Sequence, residues 1–187
     1  MVVIGQSAPA RWTAPDGPWA EPDLHAFPQD GHRYEIVDGS LHVTPPQDAG
    51  HDAMVAKIVA LLRAEAPEEW WVCDRVGVAI GDSNLIPDVT VLRPRSSGAI
   101  WAEPGDVALV VEVESPSSRG YDRLLKPELY ARAGIRSFWR VERGAEPVLR
   151  AYELGNAGYA EPWTISGAEP VKVSTPFPLR VAPGTWG

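Results

Sequence analysis

Cysteine is nearly absent from this chain. Cys73 is the only one among 187 residues, so an internal disulfide is excluded, and a lone thiol cannot build a structural zinc cluster. That usage fits a reducing cytoplasm. Long apolar runs are missing too, which excludes a bilayer-spanning helix. Residues 1–12 lack a charged start followed by an apolar stretch, so nothing in them directs secretion. Positive charge is scarce: 17 Lys and Arg against 25 Asp and Glu leave a net charge of −8. Because phosphate neutralisation supplies most non-specific nucleic-acid affinity, this argues against indiscriminate coating of DNA. The deficit is uneven, however. Residues 93–143 carry nine of the basic residues against seven acidic ones, and the default reading of each such arginine is a solvated helix or strand face.

Proline is abundant. The 19 prolines gather towards both ends, which predicts irregular arms around a regular centre. The length fits one domain with a core large enough to fold unaided, and 44% hydrophobic with 22% charged residues is ordinary soluble usage. We expect a Pro/Trp-rich N-terminal arm over 1–30 and a single domain over 31–187 with irregular C-terminal strands. In the arm, Pro9, Pro15, Pro18, Pro22 and Pro28 leave room for one short helix over 21–27. Trp12 and Trp19 are expected to cap apolar surface.

The centre alternates strand and helix signals. Residues 33–37 and 40–44 flank Asp38-Gly39, a two-residue hairpin turn. Pairing Val37 with Ser40 sets Ile36 opposite Leu41 and Tyr34 opposite Val43 on a buried face. It leaves Glu35 opposite His42 on the other face, pointing away from the apolar layer. Met54, Val55, Ile58, Leu61 and Leu62 recur at helical spacing, predicting a helix over 51–66 with His51 in its first turn. A strand over 70–80, interrupted near Gly77, precedes a turn at 81–84. Residues 86–92 read as a short strand entered through Pro87, with Asp88 and Thr90 on one face. Residues 107–114 form the most β-prone run, a central strand with Glu112 and Glu114 on one face near its end. A polar loop leads to a helix ending at Ala133 and capped by Gly134, its regular part beginning near Lys126 because of Pro127. Strands over 137–142 and 148–154 follow.

The chemistry converges on Asp88, Glu112 and Lys126. Adjacent strands bring the two carboxylates together, and carboxylates so placed repel each other unless a cation bridges them. A small set of hard oxygen ligands suits Mg²⁺, with Mn²⁺ as an alternative, since the ion keeps water and takes further ligands from phosphate. Lys126 adds a positive charge beside a phosphoryl oxygen or orients a nucleophilic water. An acid inside a run of valines is costly to bury unpaired, so Glu112 has few bland explanations. Glu114 reads equally as a solvated strand end or a partner of Arg119 or Arg123. His51 reads first as a capping or core histidine, Glu35 as a partner of His42, and Tyr130, one turn past Lys126, as a packing residue.

The order Ile86-Pro87-Asp88, then Glu112-Val113-Glu114, then Lys126 resembles the PD-(D/E)xK nuclease superfamily. The stretches 34–39, 87–89, 110–117 and 126–134 are similar to the bacterial Uma-type restriction-endonuclease-like family over about residues 24–159. The resemblance implies an α/β (α+β) fold: a restriction-endonuclease-like mixed β-sheet core flanked by helices. It implies metal ligation by Asp88 and Glu112, with Glu35 and His51 close by, DNA as substrate and a homodimer. One departure stands out. The superfamily places lysine two residues after the second acid, where this chain has Glu114, so the role passes to Lys126 on the next helix. The competing expectation, motivated by net acidity and that displaced lysine, is a nuclease-fold module that binds nucleic acid or a protein without turnover.

Overall fold

The computed structural model describes residues 14–94 and 99–187. Trp12, expected to cap apolar surface, lies outside the described residues, as do positions 95–98. The elements are α1 (Glu21–Leu24), β1 (Arg33–Val37), β2 (Ser40–Thr44), α2 (Ala49–Glu65), β3 (Trp71–Asp74), β4 (Gly77–Ile80), β5 (Ser83–Leu85), β6 (Val89–Leu92), β7 (Trp101–Ala102), β8 (Val107–Val113), α3 (Lys126–Arg132), β9 (Ser137–Glu142), β10 (Val148–Gly155), β11 (Gly158–Tyr159), β12 (Trp163–Ser166), β13 (Val171–Val173) and β14 (Leu179–Val181). The larger sheet runs β11-β10-β9-β8-β6-β3, with β12 also on β10. A second runs β2-β1-β5-β4-β7, and β13 pairs with β14. Both larger sheets are mixed: β8 is parallel to β9 and β4 to β7, among antiparallel neighbours.

β8 is central because its residues are covered on both faces, and all seven are buried. Val111 and Val113 pack with Met54, Val55, Ile58 and Leu62 of α2. Val110 packs on the opposite side with Leu129, Tyr130 and Phe138. Two-residue alternation therefore aims Glu112 at the α3 side. Complete burial of an aliphatic side chain such as Ile58 or Leu62 is worth roughly 1.5–3 kcal/mol, which anchors α2 to the sheet. The helix starts two residues before the expected 51, because Asp48 is its cap, accepting from the His51 N–H at 2.8 Å.

The β1–β2 register is as expected, from Val37 opposite Ser40 through Glu35 opposite His42. Asp38 (φ 44°) and Gly39 (φ 75°) supply the left-handed pair that such a turn needs. The assignment of faces needs correction. Val43 is 46% exposed while Glu35 is 1% exposed. Alternation tells which residues share a face; what packs there decides how far it is covered, and Glu35 is met by the Ile86 N–H and by Lys126 of α3.

The predicted strand over 70–80 divides because Arg75 takes φ 55°. That turn sends β3 to β6 in the larger sheet and β4 to β5 in the smaller. The expected turn at 81–84 is tighter, pairing Ile80 with Ser83, so the short polar β5 lies where no strand is predicted. Gly77, at the start of β4, lies against the Trp101 ring: a Cβ there would stand 2.2 Å from Trp101 Cε3. The indole is tethered by its N–H to Glu21 at 3.0 Å. Gly77→Ala is therefore expected to destabilise the protein by about 1–3 kcal/mol, as overpacking does, read as a lower urea midpoint at unchanged slope.

Candidate active site

The pairing of β6 with β8 positions the two acids. Val89 faces Val111 and Thr90 faces Val110, so one step outward sets Asp88 across from Glu112. Asp88 precedes β6 because Pro87 contributes no N–H to a ladder. It closes the gap itself: its Oδ2 accepts the Val113 N–H at 2.8 Å. Its Oδ1 meets a guanidinium nitrogen of Arg33 at 2.5 Å, and Arg33 also donates to the Ile86 carbonyl at 3.0 Å. His51 enters from the first turn of α2, with Nε2 3.1 Å from the Val113 carbonyl and 3.3 Å from Asp88 Oδ2. Both neighbours are acceptors, so Nε2 is the nitrogen that carries hydrogen. Burial disfavours the charged ring, but the hydrogen bond and charge of Asp88 together with the Asp52 carboxylate overcome it and raise the His51 pKa. Burial also opposes ionisation of Asp88, yet the Arg33 charge, His51 and the Val113 N–H hold its carboxyl well below the usual range.

Glu112 is bound from the helical side. The Lys126 ammonium is 2.9 Å from Oε1, and the Tyr130 hydroxyl donates to the same oxygen at 2.6 Å. Lys126 also reaches Glu35 Oε1 at 3.2 Å, an atom that accepts the Ile86 N–H at 2.7 Å. Burial raises the Glu112 pKa, to about 8, and Asp122, Asp88 and Glu35 add to this while Lys126 opposes it. The acids around Lys126 outnumber its single charge. The same acids push the Lys126 pKa well above its ordinary value despite burial.

Asp88, Glu112, Lys126, Glu35, His51 and Tyr130 thus come together. Glu114 does not join them. Arg123 grips it through two bonds at 2.6 and 2.9 Å, and Arg140 lies 3.0 Å and Arg119 3.5 Å away, so its role is an ion network at the end of β8. Glu35 does not pair with His42, whose ring stacks on Tyr121 at 5.2 Å. Sequence reasoning missed Arg33, Tyr121 and Asp122. Arg33 shares a strand face with Glu35 two residues on, and Asp122 lies four residues before Lys126. Both signals were readable as spacing, but the second only if the helical winding is known to begin before Lys126.

Four buried carboxylates, Asp88, Glu112, Glu35 and Asp122, face the buried Lys126 and the half-buried Arg33. Fully ionised, these acids exceed the two cations by two charges, a surplus that one divalent ion would offset and that, without it, burial and the neighbouring acids answer by raising the Glu112 pKa. Lone pairs remain for the ion as well. A carboxylate offers about four; three donors approach Asp88, and both hydrogen bonds to Glu112 fall on Oε1. Among the described residues no group of three or more His, Cys, Asp and Glu side chains is gathered at metal-binding spacing. Two carboxylates suffice for an ion that retains water, as Mg²⁺ does, so the residues present fit such an ion at Asp88 and Glu112.

A family model, Uma2, described as "Putative restriction endonuclease", matches residues 21–182. This chain belongs to the Uma2 family. No curated protein matches it. A solved structure from Anabaena variabilis ATCC 29413, described as a "putative nuclease belonging to DUF820", is similar over 85% of this chain and 90% of that one, with a TM-score of 0.61 and 16% sequence identity. At that identity the likeness shows the fold: the mixed-sheet, helix-flanked architecture of this Uma2 chain is that of the nuclease-like neighbour. No helix among the described residues is long and apolar enough to cross a membrane.

Proposed function

We propose that this Uma2-family protein is a Mg²⁺- or Mn²⁺-dependent endonuclease that hydrolyses DNA phosphodiesters. The observation that carries this reading is the placement of Asp88 opposite Glu112, with the Lys126 ammonium 2.9 Å from Glu112. A divalent ion held by the two acids supplies an activated water and offsets charge developing on a phosphoryl oxygen. The chain's own residues do the rest. Lys126 holds positive charge beside Glu112, Tyr130 fixes Glu112 Oε1, and His51 and the Val113 N–H fix Asp88 Oδ2. Arg33, which holds Asp88, also lines an open cavity of ≈ 540 Å³ together with His32, Tyr34, Gln47, Arg75 and Ile86. Incubating supercoiled plasmid with the protein should give nicked product with Mg²⁺ or Mn²⁺ and none with EDTA. Labelled single strands, duplex DNA and RNA run in parallel identify the preferred substrate, and cleavage of RNA with none of either DNA would reject the DNA assignment.

A second reading has its own observation: Asp88 is 3% and Glu112 1% exposed, and each already faces a protein cation. In that reading the fold binds nucleic acid or a partner without turnover. Calorimetric titration with Mn²⁺ separates the two, since binding supports the nuclease and its absence supports the inactive module. We further propose a reducing cytoplasmic setting, in keeping with the lone Cys73, and a homodimer joined through exposed aromatic surface such as Trp163 and Trp71. Light scattering tests the assembly, and a monomer at tens of micromolar would rule it out.

A further inference from the structure

Lys126 is 1% exposed, so the three hydrogens of its ammonium must be met by the protein rather than by bulk water. Glu112 Oε1 at 2.9 Å and Glu35 Oε1 at 3.2 Å meet two. The remaining acid within reach is Asp122, whose Oδ1 stands 3.8 Å from the ammonium. Asp122 is itself 1% exposed, and its Oδ1 is buried with no hydrogen-bond partner. Its Oδ2 is held by the Ser118 hydroxyl at 2.5 Å. Leaving a buried carboxylate oxygen without a hydrogen bond is costly, so its presence calls for a compensating role.

The backbone points the same way. Tyr121–Leu125 is wound as a π-helix directly before α3, a conformation that is rare and frequent at functional sites. The wide turn brings Tyr121 and Asp122 to Lys126 together. The Tyr121 ring centroid lies 5.0 Å from the ammonium, and its hydroxyl is also buried without a partner. The stack on His42 holds that ring in place.

We propose that Asp122 is a positioning residue for Lys126, completing with Glu35 and Glu112 a tripod of carboxylates that fixes where the ammonium stands. Two acceptors define a line about which an ammonium can swing; a third charge off that line fixes its direction. At 3.8 Å Asp122 attracts the third N–H without consuming it, which leaves that hydrogen for a phosphoryl oxygen. This deepens the nuclease reading and rests on it for the role of Lys126, but its test does not depend on turnover.

The chain has three lysines, Lys57, Lys126 and Lys172, and Lys57 and Lys172 are exposed. In protein labelled with ¹⁵N-lysine, one ammonium resonance with slow hydrogen exchange is therefore expected, from Lys126 of the metal-free protein. Asp122→Asn should shift it and speed its exchange at least tenfold. Ser118→Ala, which frees Asp122 Oδ2 and leaves the packing intact, should do the same to a smaller extent. On plasmid DNA, Asp122→Asn should lower kcat at least tenfold at unchanged KM. A Lys126 resonance unmoved in both variants, or a full kcat in a variant whose resonance has moved, overturns the proposal. If the resonance responds but no protein, wild type included, cleaves DNA, the positioning role stands and the nuclease reading falls.

Discussion

Lys126→Met is expected to lower the unfolding free energy of the metal-free protein by about 3–5 kcal/mol, the usual cost of removing one partner from a buried ion pair. It is also expected to reduce DNA cleavage by about 10²–10³-fold, as loss of a preorganised electrostatic group does. The stability effect follows from what is left behind: Glu112 and Glu35 lose the cation at 2.9 and 3.2 Å, and Asp122 the one at 3.8 Å. The size of the loss should depend on pH. Burial and neighbouring acids already raise the Glu112 pKa, to about 8, and removing Lys126 raises it further. A carboxyl whose folded pKa lies above its unfolded value binds more protons when folded, so its contribution to stability is present at low pH and is lost as pH rises through the folded value. The gap between Lys126→Met and wild type should therefore stay level below about pH 7 and widen as pH rises through about 8 in urea titrations. Equal stability of the two proteins at pH 8.5 would remove the ion cluster from the account. Lys126→Arg keeps the charge but replaces a compact ammonium with a wide planar fork, so it should recover part of the stability and little of the rate.

The elements that depend on local pattern were legible in the sequence. Asp38-Gly39 fixed the hairpin register to the residue, the apolar spacing of α2 located the helix that covers the core, and the valine run of β8 marked the central strand. Asp88, Glu112 and Lys126 were legible because acids within β-prone runs and a lysine after them are unexpected on packing grounds alone. What was not legible depends on more than one element at a time. Glu35 was expected on the side turned from the apolar layer, yet that side is covered: the Ile86 N–H and Lys126 of α3 meet the carboxylate and bury it. Tyr130 was expected to pack, and it does, but its hydroxyl also bonds Glu112 across 18 residues of sequence. Arg33 could be placed on the Glu35 face by spacing, but its partner Asp88 lies 55 positions on, and no local pattern joins the two. Asp122 was missed because no propensity signals a π-turn, and without that turn the residue reads as part of a polar loop. Glu114 was left open between solvent and arginine, and three arginines from the following turn and β9 decided it.

Asp88→Asn is expected to abolish Mn²⁺-induced thermal stabilisation and to reduce cleavage by about 10²-fold or more, while costing about 3–5 kcal/mol of stability in the absence of metal. An amide in place of the carboxylate keeps an acceptor for the Val113 N–H, so the backbone at the β6–β8 junction has no cause to rearrange. The stability cost arises instead at Arg33, whose half-buried guanidinium loses the charge at 2.5 Å. The two losses can be separated. In Arg33→Met combined with Asp88→Asn neither charge remains, so most of the lost stability should return, whereas stabilisation by Mn²⁺ should not. A wild-type protein that binds the ion gains about 2.7 kcal/mol at a hundredfold excess over Kd; the double variant should gain nothing. Acid titration offers an independent check. Asp88 is held well below the usual carboxylate range, chiefly by Arg33 against the opposing effect of burial. Its contribution is therefore present above the unfolded value of about 3.9 and is lost as pH falls towards the folded one. The wild type should lose stability more steeply than the double variant below about pH 4, and parallel acid limbs would show that the Arg33–Asp88 pair contributes nothing to the fold. Mn²⁺ stabilisation that survives in Asp88→Asn would remove Asp88 from the metal site even if cleavage were lost.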